Sequence, residues 1–331
     1  VASTEPASED EFFLGGDTGE VAGPITFPEN LGKQAAMAVH HLADSFVRAA
    51  ETGHKDVIEQ AIDDRLKQQV QPLHHKRRAA TRRLYTQGFR ETQTQAEHIR
   101  SLLMGIARCL ENPGEPVPVT VLARSVIETA ALVVYAQDPA LTDLDRCTRY
   151  AALLLDGYFN LNKALSEVVT SPTETPSLIA LRETIDRAGM TIHYHQKRKN
   201  LPVGVSNSLT PARVETCSPI ATEISEKVVG KRIFYRLFSG MTHGSAGHLL
   251  LIQDWTSTDQ RPIQLGQVLV ALLGLAYAVP AAYNAILTNA GVDTSPVDKH
   301  ADLLIGMIQR LSDELPEEAR IVIPTDRTQR I

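Results

Sequence analysis

At 331 residues, with 43% hydrophobic and 22% charged side chains, the chain can bury an ample core and is neither a disordered polyelectrolyte nor a fibrous repeat. Its net charge of −6 is a local property: residues 1–30 contain seven acids and no Lys or Arg, so the remainder carries +1 and an anionic partner is not excluded. Cys109, Cys147 and Cys217 are far apart and form no CxxC, which argues against a disulfide framework or a structural zinc site and for a reducing cytoplasm.

Residues 1–30, rich in Ser, Gly, Pro, Asp and Glu, read as a disordered acidic tail, the opposite of a basic secretory leader. Residues 31–112 read as an N-terminal helical layer. Ala36, Val39, Leu42, Phe46 and Ala50 recur at helical steps until Gly53, and Val57, Ile58, Ile62, Leu66 and Val70 continue the period to Pro72. A long helix is expected from Leu73 to Leu110, ended by Asn112-Pro113-Gly114-Glu115-Pro116. The core, residues 117–290, opens with a helix over Val119–Tyr135 that is apolar on nearly every face except at Arg124 and Glu128. Helices over Leu144–Val169 and Leu178–His195 follow. Gln196–Ser218 loses the apolar period, gains Pro202, Gly204 and Pro211, and is expected to be a surface loop. Helix resumes over Glu223–Phe238, then over Pro262–Leu287, and a last helix over Val297–Leu311 lies in the C-terminal segment 297–331. No alternating run stands out as a strand, so the expected class is all-α. The segment Pro262–Val292 holds no charge, but Pro280 and Asn284 interrupt it; it is expected to be a core helix rather than a membrane span.

The densest chemistry lies in Tyr235-Arg236-Leu237-Phe238-Ser239-Gly240-Met241-Thr242-His243. Seven residues turn a helix through about 700°, so Arg236 and His243 point nearly the same way, with Tyr235 and Ser239 beside them. A cation able to clamp phosphate next to a base that titrates near neutrality is the minimum equipment for metal-free RNA cleavage. Arg48 with His54 and Arg187 with His193 repeat the spacing, but the first ends at Gly53 and the second straddles Gly189 in a polar stretch.

Arg124-x3-Glu128 on one helix and Tyr235-x3-Ser239-x3-His243 on another, with Arg236, resemble the HEPN superfamily of helical bundles, in particular its poorly characterised bacterial members with these two motifs. The resemblance covers roughly half the chain. It implies a HEPN-like bundle, a homodimer with a shared cleft, and a metal-independent, cofactor-free endoribonuclease, toxin-like or defence-associated. In that role His243 moves the proton of a ribose 2′-OH or of the leaving 5′-oxygen, Arg236 neutralises the phosphorane, and Glu128 orients one of them. Tyr235, Ser239 and Arg124 would contact the phosphate. Leu237 departs from the family, whose active members place a polar residue there. That departure points to the alternative, a non-cleaving relative that binds RNA, a nucleotide or a partner protein in an antitoxin-like way. The residues themselves also admit an architectural reading, in which Arg124 and Glu128 form an i, i+4 pair that satisfies the cluster.

Lys76, Arg77, Arg78, Arg82 and Arg83, flanked by His74 and His75, make the densest basic run, and Lys197, Arg198 and Lys199 form a smaller one. Each can grip phosphates or simply be a solvated face. Only Glu51-x-x-His54 fits a di-iron motif, and Gly53 spoils its helix; no Gly-rich phosphate loop or nucleophile elbow occurs.

Overall fold

The period of three and four residues along the N-terminal segment becomes a helix, α1 (Glu29–Thr52), in the computed structural model. The structure describes residues 29–52, 75–111, 116–168, 174–209, 211–220 and 261–315, with Gln60, Asp64, Arg65, Gln68, Glu223, Ile224, Glu317, Arg320 and Ile321. Helix α1 thus begins two residues inside the segment assigned to the acidic tail, whose other residues lie outside the described ones. Gln60, Asp64, Arg65 and Gln68 are helical; the rest of the expected helix over 57–70 falls outside them.

The chain continues as α2 (His75–Glu111), α3 (Pro116–Gln137), α4 (Asp143–Val168) and α5 (Pro176–Arg187), then β1 (Met190–Tyr194), β2 (Pro202–Asn207) and β3 (Val214–Thr216), and finally α6 (Arg261–Ala290) and α7 (Ser295–Asp313). The described residues are predominantly helical, and the fold is all-α with one small sheet. Helices α3 and α6 form its centre and pack against each other along their length. Both are apolar on nearly all sides, as the inner helices of a bundle must be. Helix α2 lies against α1 and α3, and α7 closes the far side against α1 and α6. Leu42, Leu84, Ile99, Leu103, Ile106, Ile127, Leu272 and Leu304 belong to one continuous core that these helices share. Both α3 and α6 are long and apolar enough to cross a membrane by length and composition, but 56% and 72% of the respective stretches are buried inside the molecule, as in core helices.

The helix ends are set by local chemistry. Thr142 caps α4: its hydroxyl accepts the Asp145 N–H at 3.1 Å and donates to the Asp145 carboxylate at 2.9 Å. Gly291, at φ +72°, ends α6, and the Val292 N–H reaches back to the Leu287 carbonyl at 2.8 Å.

Two sequence expectations are corrected here. The helix expected over Leu178–His195 stops at Arg187, because Gly189 takes φ +70° and turns the chain into β1. The stretch expected to be a surface loop, Gln196–Ser218, contributes most of an antiparallel sheet of order β1-β2-β3, with Thr191 opposite Ser206 and Ser206 opposite Val214. One face of this sheet, bearing Met190, Val205, Asn207 and Glu215, is buried against α4 and α5.

Candidate functional site

On α3 the spacing of Arg124 and Glu128 places both side chains on one stripe, and the structure pairs them: Arg124 Nε donates to Glu128 Oε1 at 2.8 Å. Their environments differ. Arg124 is 8% exposed, whereas the Glu128 side chain keeps 31% of its surface. The pair therefore runs from the buried interior of the bundle to its rim, with the carboxylate at the outer end. Beside it, Ser125 and Thr129 turn their hydroxyls back to carbonyls of their own helix, at 3.4 and 2.8 Å. A buried guanidinium that fixes one carboxylate oxygen leaves the carboxylate plane defined, which is what a group that orients a base or a second cation requires. Tyr235, Arg236, Ser239 and His243, and the expected helix that carries them, lie outside the described residues. Of the six sequence-derived site residues, the structure brings together Arg124 and Glu128.

A second polar constellation was missed by sequence reasoning and is far larger. It forms where α3 turns into α4. Arg146, 3% exposed, donates to Asp143 Oδ1 at 2.6 Å and to the carbonyls of Asp138 and Leu141 at 3.1 and 3.2 Å. Arg65 donates to the other Asp143 oxygen at 3.2 Å, and Tyr85 approaches the same carboxylate at 3.3 Å. One turn further along α4, Arg149 donates to Glu215 Oε2 at 2.7 Å and to the Tyr135 carbonyl at 2.5 Å, and stacks 4.0 Å above the Tyr135 ring. Arg213 takes the second Glu215 oxygen at 2.6 Å, and Asn207 donates to Thr148 at 3.1 Å. Burial raises the Tyr135 hydroxyl to about 12 against the opposing pull of Arg149, with Glu215 adding to the rise, so it stays a neutral donor to Glu215.

Each buried cation of this network faces a buried acid, and its members come from α2, α3, α4, β2 and β3, with Arg65 and Arg213 from the segments between labelled elements. It fastens the sheet to the bundle. The sequence did carry a signal: Asp138, Asp143, Asp145, Arg146 and Arg149 crowd twelve positions at the head of a helix that is otherwise apolar on its inner face.

The sheet's other face holds His193, whose Nε2 lies 2.8 Å from Ser206 Oγ. Arg187 and His193, a pair with the Arg-to-His spacing, fall on different elements, α5 and β1. Arg77 of the basic run extends from the first turn of α2 to the base of this sheet, where it donates to the Ala188 carbonyl at 2.9 Å and to the Ser208 hydroxyl. Among the described residues no group of three or more His, Cys, Asp or Glu is placed to hold a metal ion. Cys147 and Cys217 are buried, and burial pushes both thiols well above their ordinary range, to about 12 for Cys217. Comparison with protein-family models, with curated proteins and with solved structures finds no match to this chain.

Proposed function

We propose that this protein is a HEPN-like, metal-independent endoribonuclease of the cytoplasm, acting as a homodimer in a toxin-like or defence role. The observation that supports the reading most directly is the Arg124–Glu128 pair on α3, anchored inside the bundle at 2.8 Å with its carboxylate at the rim. In this reading His243 accepts the proton of a ribose 2′-OH as that oxygen bonds to phosphorus. The bond from phosphorus to the 5′-oxygen breaks, and the 5′-oxygen takes up a proton, leaving a 2′,3′-cyclic phosphate and a 5′-hydroxyl end. Arg236 offers its planar fork to the phosphorane oxygens, Glu128 orients His243 or Arg236, and Arg124, Tyr235 and Ser239 bind the phosphate.

The test is cleavage of an end-labelled mixed-sequence RNA in EDTA by the wild type, His243→Ala and Glu128→Gln, with folding followed by circular dichroism. Loss of cyclic-phosphate product in folded variants is expected. Absence of cleavage by the wild type, or cleavage that survives His243→Ala, overturns the reading. A second reading, a non-cleaving binding module of the same scaffold, is favoured by Leu237 after Arg236 and by the closed geometry of the Arg124–Glu128 pair. It predicts RNA, nucleotide or partner-protein binding without product.

A further inference from the structure

The tip of the β1–β2 hairpin carries Lys197, Arg198 and Lys199 in succession, all exposed. No Asp or Glu occurs from Arg187 to Val214, and none from His75 to Arg90 on α2. The structure joins these two acid-free segments. Arg77 bonds the Ala188 carbonyl and Ser208, and packs so tightly on Gly189 that a Cβ there would lie 2.5 Å from its guanidinium carbon. The first turn of α2 and the base of the hairpin are therefore one rigid junction. That first turn holds His75, Lys76, Arg77 and Arg78 and no acid, the charge arrangement that a helix dipole disfavours at this end.

Within the hairpin, the Lys197 and Arg198 N–H groups both donate to His195 Nδ1, at 3.2 Å each. His195 Nδ1 is thereby an acceptor that ties the ring to the backbone of the tip. Between His193 and His195 stands Tyr194, 40% exposed. The nearest acid after the hairpin, Glu215, is buried and already held by Arg149 and Arg213. Exposed cations three to five positions from an exposed aromatic residue are the chemistry that grips phosphates and stacks an unpaired base, whereas an acidic peptide needs only the cations.

From this arrangement we infer that the tip of the hairpin forms a docking surface for single-stranded nucleic acid, with the basic start of α2 at the other end of the β1–β2 pair. It lies on different elements from Glu128. If the ribonuclease reading holds, the strand docked here is its substrate, but the surface stands or falls separately.

The experiment is fluorescence anisotropy of a labelled 20-nucleotide mixed-sequence RNA, and of the DNA of the same sequence, with the full chain in EDTA across a salt series. The variants are K197S/R198S/K199S and Tyr194→Ala, their folding verified by thermal melts. Each Lys or Arg contact to a single strand contributes about 0.7 to the slope of log affinity against log salt, so the triple variant should lose about 2 units of slope and at least about tenfold in affinity. Tyr194→Ala should weaken binding about fivefold or more while leaving the slope in place. Unchanged affinity and slope in the triple variant, or no binding by the wild type, overturns the surface. So does displacement of the RNA by poly-glutamate as readily as by unlabelled RNA of equal charge, which would assign the face to an acidic protein. Retained tip-dependent binding with no cleavage by the wild type would sink the nuclease reading and leave this one standing.

Discussion

Replacing Glu215 by Gln removes one charge from a nearly isosteric side chain and tests what fastens the sheet to the bundle. Glu215 is 4% exposed and Arg149 7% exposed, and their contact is 2.7 Å. Breaking a buried pair by neutralising one partner costs about 3–5 kcal/mol, because the other charge remains out of water without compensation. Asp138, 3.5 Å from Arg149 and 39% exposed, stays behind and softens the loss, which places the expectation near the lower end, about 3 kcal/mol. At an m-value of about 3 kcal/mol/M the urea midpoint should fall by about 1 M, read by circular dichroism with the slope unchanged. Arg213→Ala removes the other, 43% exposed partner and should cost no more than about 1 kcal/mol. The double variant Arg149→Met/Glu215→Leu removes both buried charges and should recover most of the loss. A cost below about 1 kcal/mol for Glu215→Gln, or a double variant no more stable than the single, would refute the claim that an uncompensated Arg149 is the source of the effect.

Three further outcomes are expected. Gly88→Ala should lower stability by about 1–3 kcal/mol or more, since its Cβ would sit 2.2 Å from the buried Tyr150 ring; a melting temperature equal to the wild type's would contradict that packing. At pH 8, Cys147 and Cys217 should resist a thiol reagent in the native state while the half-buried Cys109 reacts first; rapid labelling of all three without unfolding would count against the burial of the other two. Burial, His41 5.5 Å away, Arg48 and Lys299 together lower the His300 imidazole below 6.5, so the unfolded chain binds the proton more readily. The stability held above that value should decline as the pH falls through it and below, and His300→Gln should flatten the dependence; a urea midpoint equally pH-sensitive in that variant would remove His300 as the cause.

The helices were legible because their evidence is local. Leu42, Phe46, Leu84, Leu103, Ile127 and Leu272 recur at the period of a helix whatever they later touch, and the structure buries all of them. Arg124 and Glu128 were legible for the same reason: an i, i+4 pair meets through the geometry of its own helix. The sheet was not. A strand is recognised by apolar residues on its inward face, but here that face mixes Met190 and Val205 with Asn207 on β2 and Glu215 on β3, while Gly204 and Ser206 occupy the opposite one. The sequence read alone takes Glu215 for a surface residue, since a lone buried carboxylate is forbidden.

What the chain determined by itself is therefore its helical class, its central apolar helices and the Arg124–Glu128 pair, all consequences of spacing within a few turns. Only the tertiary structure decided that the polar stretch after Gly189 folds as a sheet. Glu215 is admissible there because Arg149, 66 positions away, turns into the same buried space and supplies the opposite charge. Likewise, Arg77 joins the basic start of α2 to Ala188, 111 positions on. Compensation between groups so distant in sequence has no period and no local signature; it exists once the packing brings them within hydrogen-bond reach.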